Sequence, residues 1–239
     1  HDPPVGAEVI HLDGGLLLPA FFDAHLHLVQ GGKLLLNVQL QDFRDSDGVL
    51  STLKAACSSD SEDWVIGIGL HENAWPTLPD FNGATNGCPC LVYTRDYHSA
   101  ILNKSGMDLI GINRDTIVPP GGKMEVDSDG NPTGIVRENM VALVESCLPQ
   151  PDDAEQEKYL LTGQDHLISL GVLGISDAGH QDDWYLYEKM VNAGKLKLRI
   201  ESWARCLEFT QNCLESPRGI SDQLRRTRIK LFLDGALGS

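Results

Sequence analysis

Apolar positions along this chain follow two periods, and the switch between them sets the elements that can be expected. Val9, Ile10 and Leu12 lead into Asp13-Gly14-Gly15, a hairpin signal, and Leu16 to Leu18 follow it, so residues 8–28 read as strand, turn, strand. In the second strand apolar groups fall mostly at even positions from 22 to 28. Period two then sends Asp23, His25 and His27 to one face together. Residues 47–57 change to helical spacing, with Val49, Leu50, Leu53, Ala56 and Cys57 behind the good caps Ser46 and Asp47. Residues 64–70 and 91–93 read as apolar strands, with a Gly/Pro/Asn-rich loop over 75–88 between them. The turn formers concentrated in 113–137 predict loops and hairpins hanging off a scaffold.

From residue 152 the register changes. A helix over 152–170 stops at Gly171, a strand covers 172–176, and a helix over 182–192 ends at Gly194. Strand 198–203, a helical patch near 209–224 and strand 228–233 complete the series. Helix and strand alternating every ~25–30 residues is the βα pattern of a parallel sheet or barrel covered outside by helices. The fold class expected is therefore α/β. Residues 1–18 are expected to be the remnant of a small β domain, and 19–239 a βα scaffold with an inserted region at about 75–150.

Charge narrows the partners. Nineteen basic side chains against 34 acidic ones give −15, which repels phosphate backbones and anionic membrane surfaces, so no nucleic acid and no membrane is expected. The chain has no run of 18 apolar residues. Its start, His1-Asp2-Pro3-Pro4, has neither a basic nor an apolar signal-peptide region, and with no initiating Met the natural N-terminus is left open. The six cysteines are spread irregularly, and Cys88-Pro89-Cys90 is tighter than the usual zinc-ligand or redox spacing. They read as reduced thiols of a cytoplasmic protein.

The strongest chemical signal is Asp23-Ala24-His25-Leu26-His27. Two histidines two apart on a strand present both imidazoles on one side, close enough to bind one divalent ion at ~2.0–2.1 Å each. Asp23 shares that face and could orient a ligand histidine from behind. The bland alternative is two polar residues on the solvent side of an edge strand. The apolar neighbours argue for burial instead, and paired imidazoles buried without a partner are costly.

Residues 17–28, Leu17-Leu18-Pro19-Ala20-Phe21-Phe22-Asp23-Ala24-His25-Leu26-His27-Leu28, resemble the signature of the amidohydrolase superfamily, in which Pro-Gly-Phe-Ile-Asp-x-His-x-His ends the first barrel strand. Ala20 stands for the usual Gly and Phe22 for the usual Ile. Four later segments resemble the amidohydrolase-3, or N-substituted formamide deformylase-like, group. They begin with Arg95-Asp96-Tyr97-His98 through Asn103 and Asp129-Gly130-Asn131-Pro132-Thr133-Gly134 through Glu138. Gly171-Val172-Leu173-Gly174-Ile175-Ser176-Asp177 and Ile229-Lys230-Leu231-Phe232-Leu233-Asp234-Gly235 follow. One such match is weak, and five in order are strong.

The resemblance implies a metal-dependent hydrolase whose site sits in a (β/α)₈ TIM-like barrel, this chain carrying the first four strands. It implies one or two divalent ions, zinc first, held by His25, His27 and Lys230. Plain lysine has no lone pair for a cation, whereas its carboxylated form is an anion able to bridge two ions ~3.5–4 Å apart. Arg95 and His98 are candidates for contact with a small-molecule substrate. Glu138 has the simpler reading of a carboxylate favoured at a helix start. His166 reads as structural, and His71 and His180 carry no spacing argument.

The family's remaining ligands, two histidines and a general-base aspartate on strands five, six and eight, are expected beyond residue 239. The chain is accordingly expected to be a fragment, inactive alone, of a product roughly twice as long. The activity implied is hydrolysis of a carbon–nitrogen bond in an amide, N-formyl or cyclic amide. A deaminase or phosphoester hydrolase of the same fold, a non-catalytic binding remnant and an unrelated α/β protein are the rivals. Self-association stays open.

Overall fold

The computed structural model describes residues 3–57, 63–180, 182–206, 218–219 and 221–231. The hairpin expected over 8–18 keeps its turn and loses its strands. Asp13 and Gly14 both take positive φ (46° and 85°), and the Gly15 N–H donates to the Leu12 carbonyl at 2.7 Å. Yet residues 3–20 contain no strand, and Ile10, Leu16 and Leu17 are exposed. A two-stranded ribbon is marginal without a face to pack on, so turn chemistry alone does not form it.

The chain divides into two compact units, residues 1–28 with 164–239, and residues 29–163. Strand β1 (Phe21–Leu26) belongs to the first, and helix α1 (Leu28–Leu36) leads out of it. The second unit continues through β2 (Val38–Gln39), α2 (Ser46–Ala56) and β3 (Val65–Leu70). Next come α3 (Leu78–Thr85), β4 (Cys90–Thr94), β5 (Ser99–Leu102) and α4 (Lys104–Leu109). The hairpin of β6 (Gly122–Val126) and β7 (Pro132–Glu138) follows, then α5 (Asn139–Cys147) and α6 (Asp153–Ser169).

Its six strands lie in the order β2-β3-β4-β5-β7-β6, parallel up to β4 and antiparallel beyond. Alternation sorts the core. Leu91 and Tyr93 face a cluster with Leu102, Met140 and Val144, while Cys90 and Val92 face Leu53, Phe81 and Ile101 on the other side. The hairpin expected within 113–137 is present as β6 and β7. Residues 78–85, read as loop, form α3. Thr77 caps it by accepting from the Asp80 N–H, Pro79 sits in its first turn, and Asn86 closes it at φ 45°. The same Pro and Asn that punctuate a loop are here the start and stop of a short helix. At Gly32 a Cβ would fall 1.8 Å from the Tyr159 carbonyl oxygen, so α1 can approach α6 this closely only through a glycine.

The first unit resumes at Gln164, within α6, which ends before Gly171 at φ +79°. It contains β8 (Val172–Asp177), α7 (Asp183–Asn192), β9 (Arg199–Cys206), β10 (Arg218–Gly219) and β11 (Leu224–Leu231). Its sheet order is β1-β8-β9-β11-β10. The first four strands are parallel neighbours in chain order, and β10 pairs antiparallel with β11. An α/β fold with a parallel sheet is thus present, in an arrangement consistent with part of a TIM-like barrel. Ile175, Tyr187, Met190, Leu198 and Ile200 fill its core. The helical patch expected near 209–224 gives way, among the described residues, to β10 and the start of β11; residues 207–217 and 220 lie outside them. Among the described residues no helix is long and apolar enough to cross a membrane.

Candidate functional site

His25 lies in β1 and His27 just past its end, where the chain turns into α1. Their ring centroids are 5.7 Å apart with planes tilted by 48°. A ring nitrogen ~2.1 Å from an ion leaves its centroid ~3.2 Å away, so two imidazoles can share one ion at separations up to about 6.4 Å. The separation of the two rings falls within that range. Both histidines are exposed, not buried as the flanking apolar residues suggest. β1 is the edge strand of its sheet, so Phe21 and Phe22 are exposed as well and give the histidines no cover. Asp23 is half-buried and accepts a hydrogen bond from the His25 backbone N–H at 2.9 Å, holding the main chain at the first imidazole.

A tryptophan that the sequence does not single out supports that imidazole. The Trp203 ring lies 5.0 Å from His25, and its Nε1–H donates to Ser176 Oγ at 2.6 Å. Arg228 Nη1 donates to the same hydroxyl at 3.0 Å, and its guanidinium lies 5.5 Å from the Trp203 ring centre. Residues two apart on a strand share a face, so Lys230 is on the face of Arg228, which is the face of Ser176 and Trp203. In backbone register Lys230 pairs with Arg205.

Beneath the His-x-His turn sits a buried carboxylate. Asp177 ends β8 and accepts from the Leu28 N–H at 2.8 Å, the Gly179 N–H at 3.2 Å and the Tyr187 hydroxyl at 2.9 Å. The bond to Leu28 fixes the chain one residue past His27. Burial pushes the Asp177 carboxyl above its ordinary range, against the lowering effect of these donors. Asp183, which accepts from the His180 N–H at 2.7 Å, is pushed up to about 6 by burial and then by the charge of Asp177.

Arg95 and His98 belong to the second unit, whereas His25, His27 and Lys230 belong to the first. Arg95 lines an open cleft of about 290 Å³ with His71, Trp75, Asp96 and Arg137. Arg137 is held by Glu125 at 2.8 Å and lies 5.5 Å from the Trp75 ring centre. His98 Nδ1 meets Glu138 Oε2 at 2.9 Å in the open, and this hydrogen bond raises the imidazole's pKa. Glu138 makes no side-chain cap to α5, although its backbone occupies the cap position at φ 52°. Asn103, from the same motif, is fully inside. It accepts from the Cys90 and Gly106 N–H groups at 3.0 and 2.8 Å and donates to Thr85 Oγ1 and the Cys88 carbonyl at 2.8 and 2.6 Å.

Known proteins resemble the chain along nearly all of its length. The sequence profile of the amidohydrolase family matches residues 8–239. Protein LONG AFTER FAR-RED 3 of Arabidopsis thaliana is 25% identical over 256 residues, covering 98% of this chain and 43% of its own length. The N-substituted formamide deformylase of Arthrobacter pascens is 27% identical over 209 residues, covering 82% of this chain and 38% of its own. In structure, an uncharacterized metal-dependent hydrolase from Pyrococcus furiosus superposes with a TM-score of 0.66 at 27% identity, over 92% of this chain and 45% of that one. The chain spans less than half the length of these relatives.

Proposed function

Because the chain belongs to the amidohydrolase family, we propose that it supplies part of a metal-dependent hydrolase that cleaves carbon–nitrogen bonds other than peptide bonds, in amides, N-formyl groups or cyclic amides. The observation that carries the reading is the pair of imidazoles 5.7 Å apart where a parallel strand ends and a helix begins. In βα sheets the C-terminal ends of the strands are where reacting groups converge.

In this reading β1, β8, β9 and β11 are the first four strands of a (β/α)₈ barrel, and residues 29–163 form a unit inserted after the first. His25 and His27 hold a divalent ion, zinc first, through their ring nitrogens, and Lys230 joins them in carboxylated form. When bound, the ion lowers the pKa of a water molecule and polarises the substrate carbonyl. Asp23 keeps the His25 backbone in place, Asp177 does the same one residue past His27, and Trp203 backs the first ring. Arg95 and His98 are the substrate contacts, the cleft offering the guanidinium groups of Arg95 and Arg137 to a carbonyl or carboxylate. The reading places a general-base aspartate and further ligands outside residues 1–239 and expects these residues alone to be inactive. The substrate is a small molecule and the compartment the cytoplasm.

The test is turnover by the natural polypeptide containing these residues, against N-formyl amines, linear and cyclic amides, aminopurines and phosphoesters. Hydrolysis of the first group, lost to a chelator and restored by zinc, is the result expected. Turnover confined to phosphoesters or aminopurines, or activity indifferent to the chelator, would contradict the reading.

A further inference from the structure

The second unit brings together three sulfurs that are scattered in sequence. Cys57 closes α2, while Cys88 and Cys90 flank Pro89 at the start of β4. Their Sγ atoms all lie within 4.8 Å of one another, with Cys57–Cys90 at 3.5 Å and Cys88–Cys90 at 4.0 Å. A common ion ~2.3 Å from each of three sulfurs sets them ~3.8–4.0 Å apart, so the thiols stand close to ligand spacing before anything binds. Cys-x-Cys is too tight for a zinc knuckle formed in a loop. On extended backbone, however, residues two apart share a face, and that is where Cys88 and Cys90 point to meet Cys57.

The segment that carries them is pinned. Asn103 grips it at both ends, through the Cys88 carbonyl and the Cys90 N–H. The Cys88 N–H donates to the Thr85 carbonyl at 3.0 Å, and the Pro89 carbonyl accepts from Val65 at 2.9 Å. Around the sulfurs are Leu40, Leu53, Phe81 and Val92, and among the described residues no histidine or carboxylate joins the group. Cys88 and Cys90 are buried, while Cys57 is half-buried and offers the way in.

We propose that Cys57, Cys88 and Cys90 form a second metal site, independent of the histidine pair, for a soft thiophilic cation of the Cu(I) class. Three thiolates, with no nitrogen or oxygen donor beside them among the described residues, suit an ion content with three soft ligands better than zinc, which takes four. Binding displaces the protons of the three thiols to solvent while three metal–sulfur bonds form. A disulfide is the less favoured use of this pair. It would require Cys57 and Cys90 to close from 3.5 Å to a bond length within a segment held by Asn103.

The experiment titrates the natural polypeptide anaerobically with Cu(I), supplied as its acetonitrile complex, and separately with Cd(II), following ultraviolet thiolate-to-metal charge transfer. One equivalent per chain is expected to give the band. It should vanish in Cys57→Ser and Cys90→Ser and persist in His25→Ala and Cys147→Ser. Cys57→Ser changes the half-buried member and so spares the core, and circular dichroism checks its fold. Independently of any variant, bound Cu(I) should slow maleimide labelling of Cys57 at least ~10-fold. No charge transfer at one equivalent, a band that survives Cys57→Ser in folded protein, or a Cys57–Cys90 disulfide in the protein as isolated would overturn the proposal.

Discussion

Strand β4 and its neighbour β5 are buried at every residue, whereas β1 is buried at none. Both β1 and β4 are parallel strands of βα sheets, yet they do different work. In the second unit helices pack on both sides of β4 and β5, and β3, β4 and β5 read as near-continuous apolar runs, which is how strands covered twice are written. In the first unit the edge strand gathers histidines at its end and leaves Phe21 and Phe22 exposed. Each unit has its own core, but β4 lies inside one and β1 outside the other, so changes on these two strands should separate cleanly.

The sharpest contrast is between Phe81 and Phe22. Phe81 is fully buried between α3 and the sheet, and Phe81→Ala should cost ~3–5 kcal/mol in chemical denaturation. Phe22→Ala on the edge strand should cost less than ~1 kcal/mol. Equal losses would erase the comparison. Asn103→Ala comes next. It leaves the Cys90 and Gly106 N–H groups without their acceptor inside the core and should cost ~2–4 kcal/mol.

Asp183 tests the first unit in the opposite direction. Its folded pKa of about 6 lies above the ordinary carboxylate value of 3.8, so its ionisation works against the folded state as pH rises through 6 and has no effect below the unfolded value. Asp183→Asn should therefore raise stability at pH 7 by roughly 2 kcal/mol, leave it unchanged near pH 3, and flatten the profile between. A stability loss at pH 7 would show that the carboxylate is needed charged. The smallest effect belongs to the exposed His98–Glu138 pair. Glu138→Gln should lower the His98 titration midpoint seen by NMR, since the pair favours the protonated ring and its contribution is lost as pH rises through the His98 pKa.

Much of this follows from local patterns. Residues 153–169 and 172–177 are legible because helical spacing, a glycine stop and a β-rich run all agree. The closeness of His25 and His27 is legible because both imidazoles fall within three residues. What escapes depends on packing or on distance along the chain. The strands expected at 8–18 fail for want of a partner face. Helix α3 hides because its caps are the residues that also make loops. The exposure of the two histidines depends on what packs against the faces of β1, which no local pattern reports. Trp203 reaches His25 from far along the chain, and Cys57 reaches Cys90 across 33 residues, so neither contact has a spacing to read.

Metal content, measured by plasma mass spectrometry on the natural polypeptide purified without chelator, beside its His25→Ala and His27→Ala variants, tests the histidine site most directly. The proposed function predicts one or two zinc-like ions per chain at the histidine pair, lost in both variants while the fold persists. A folded wild-type protein that carries no divalent metal and takes none up on dialysis would contradict it.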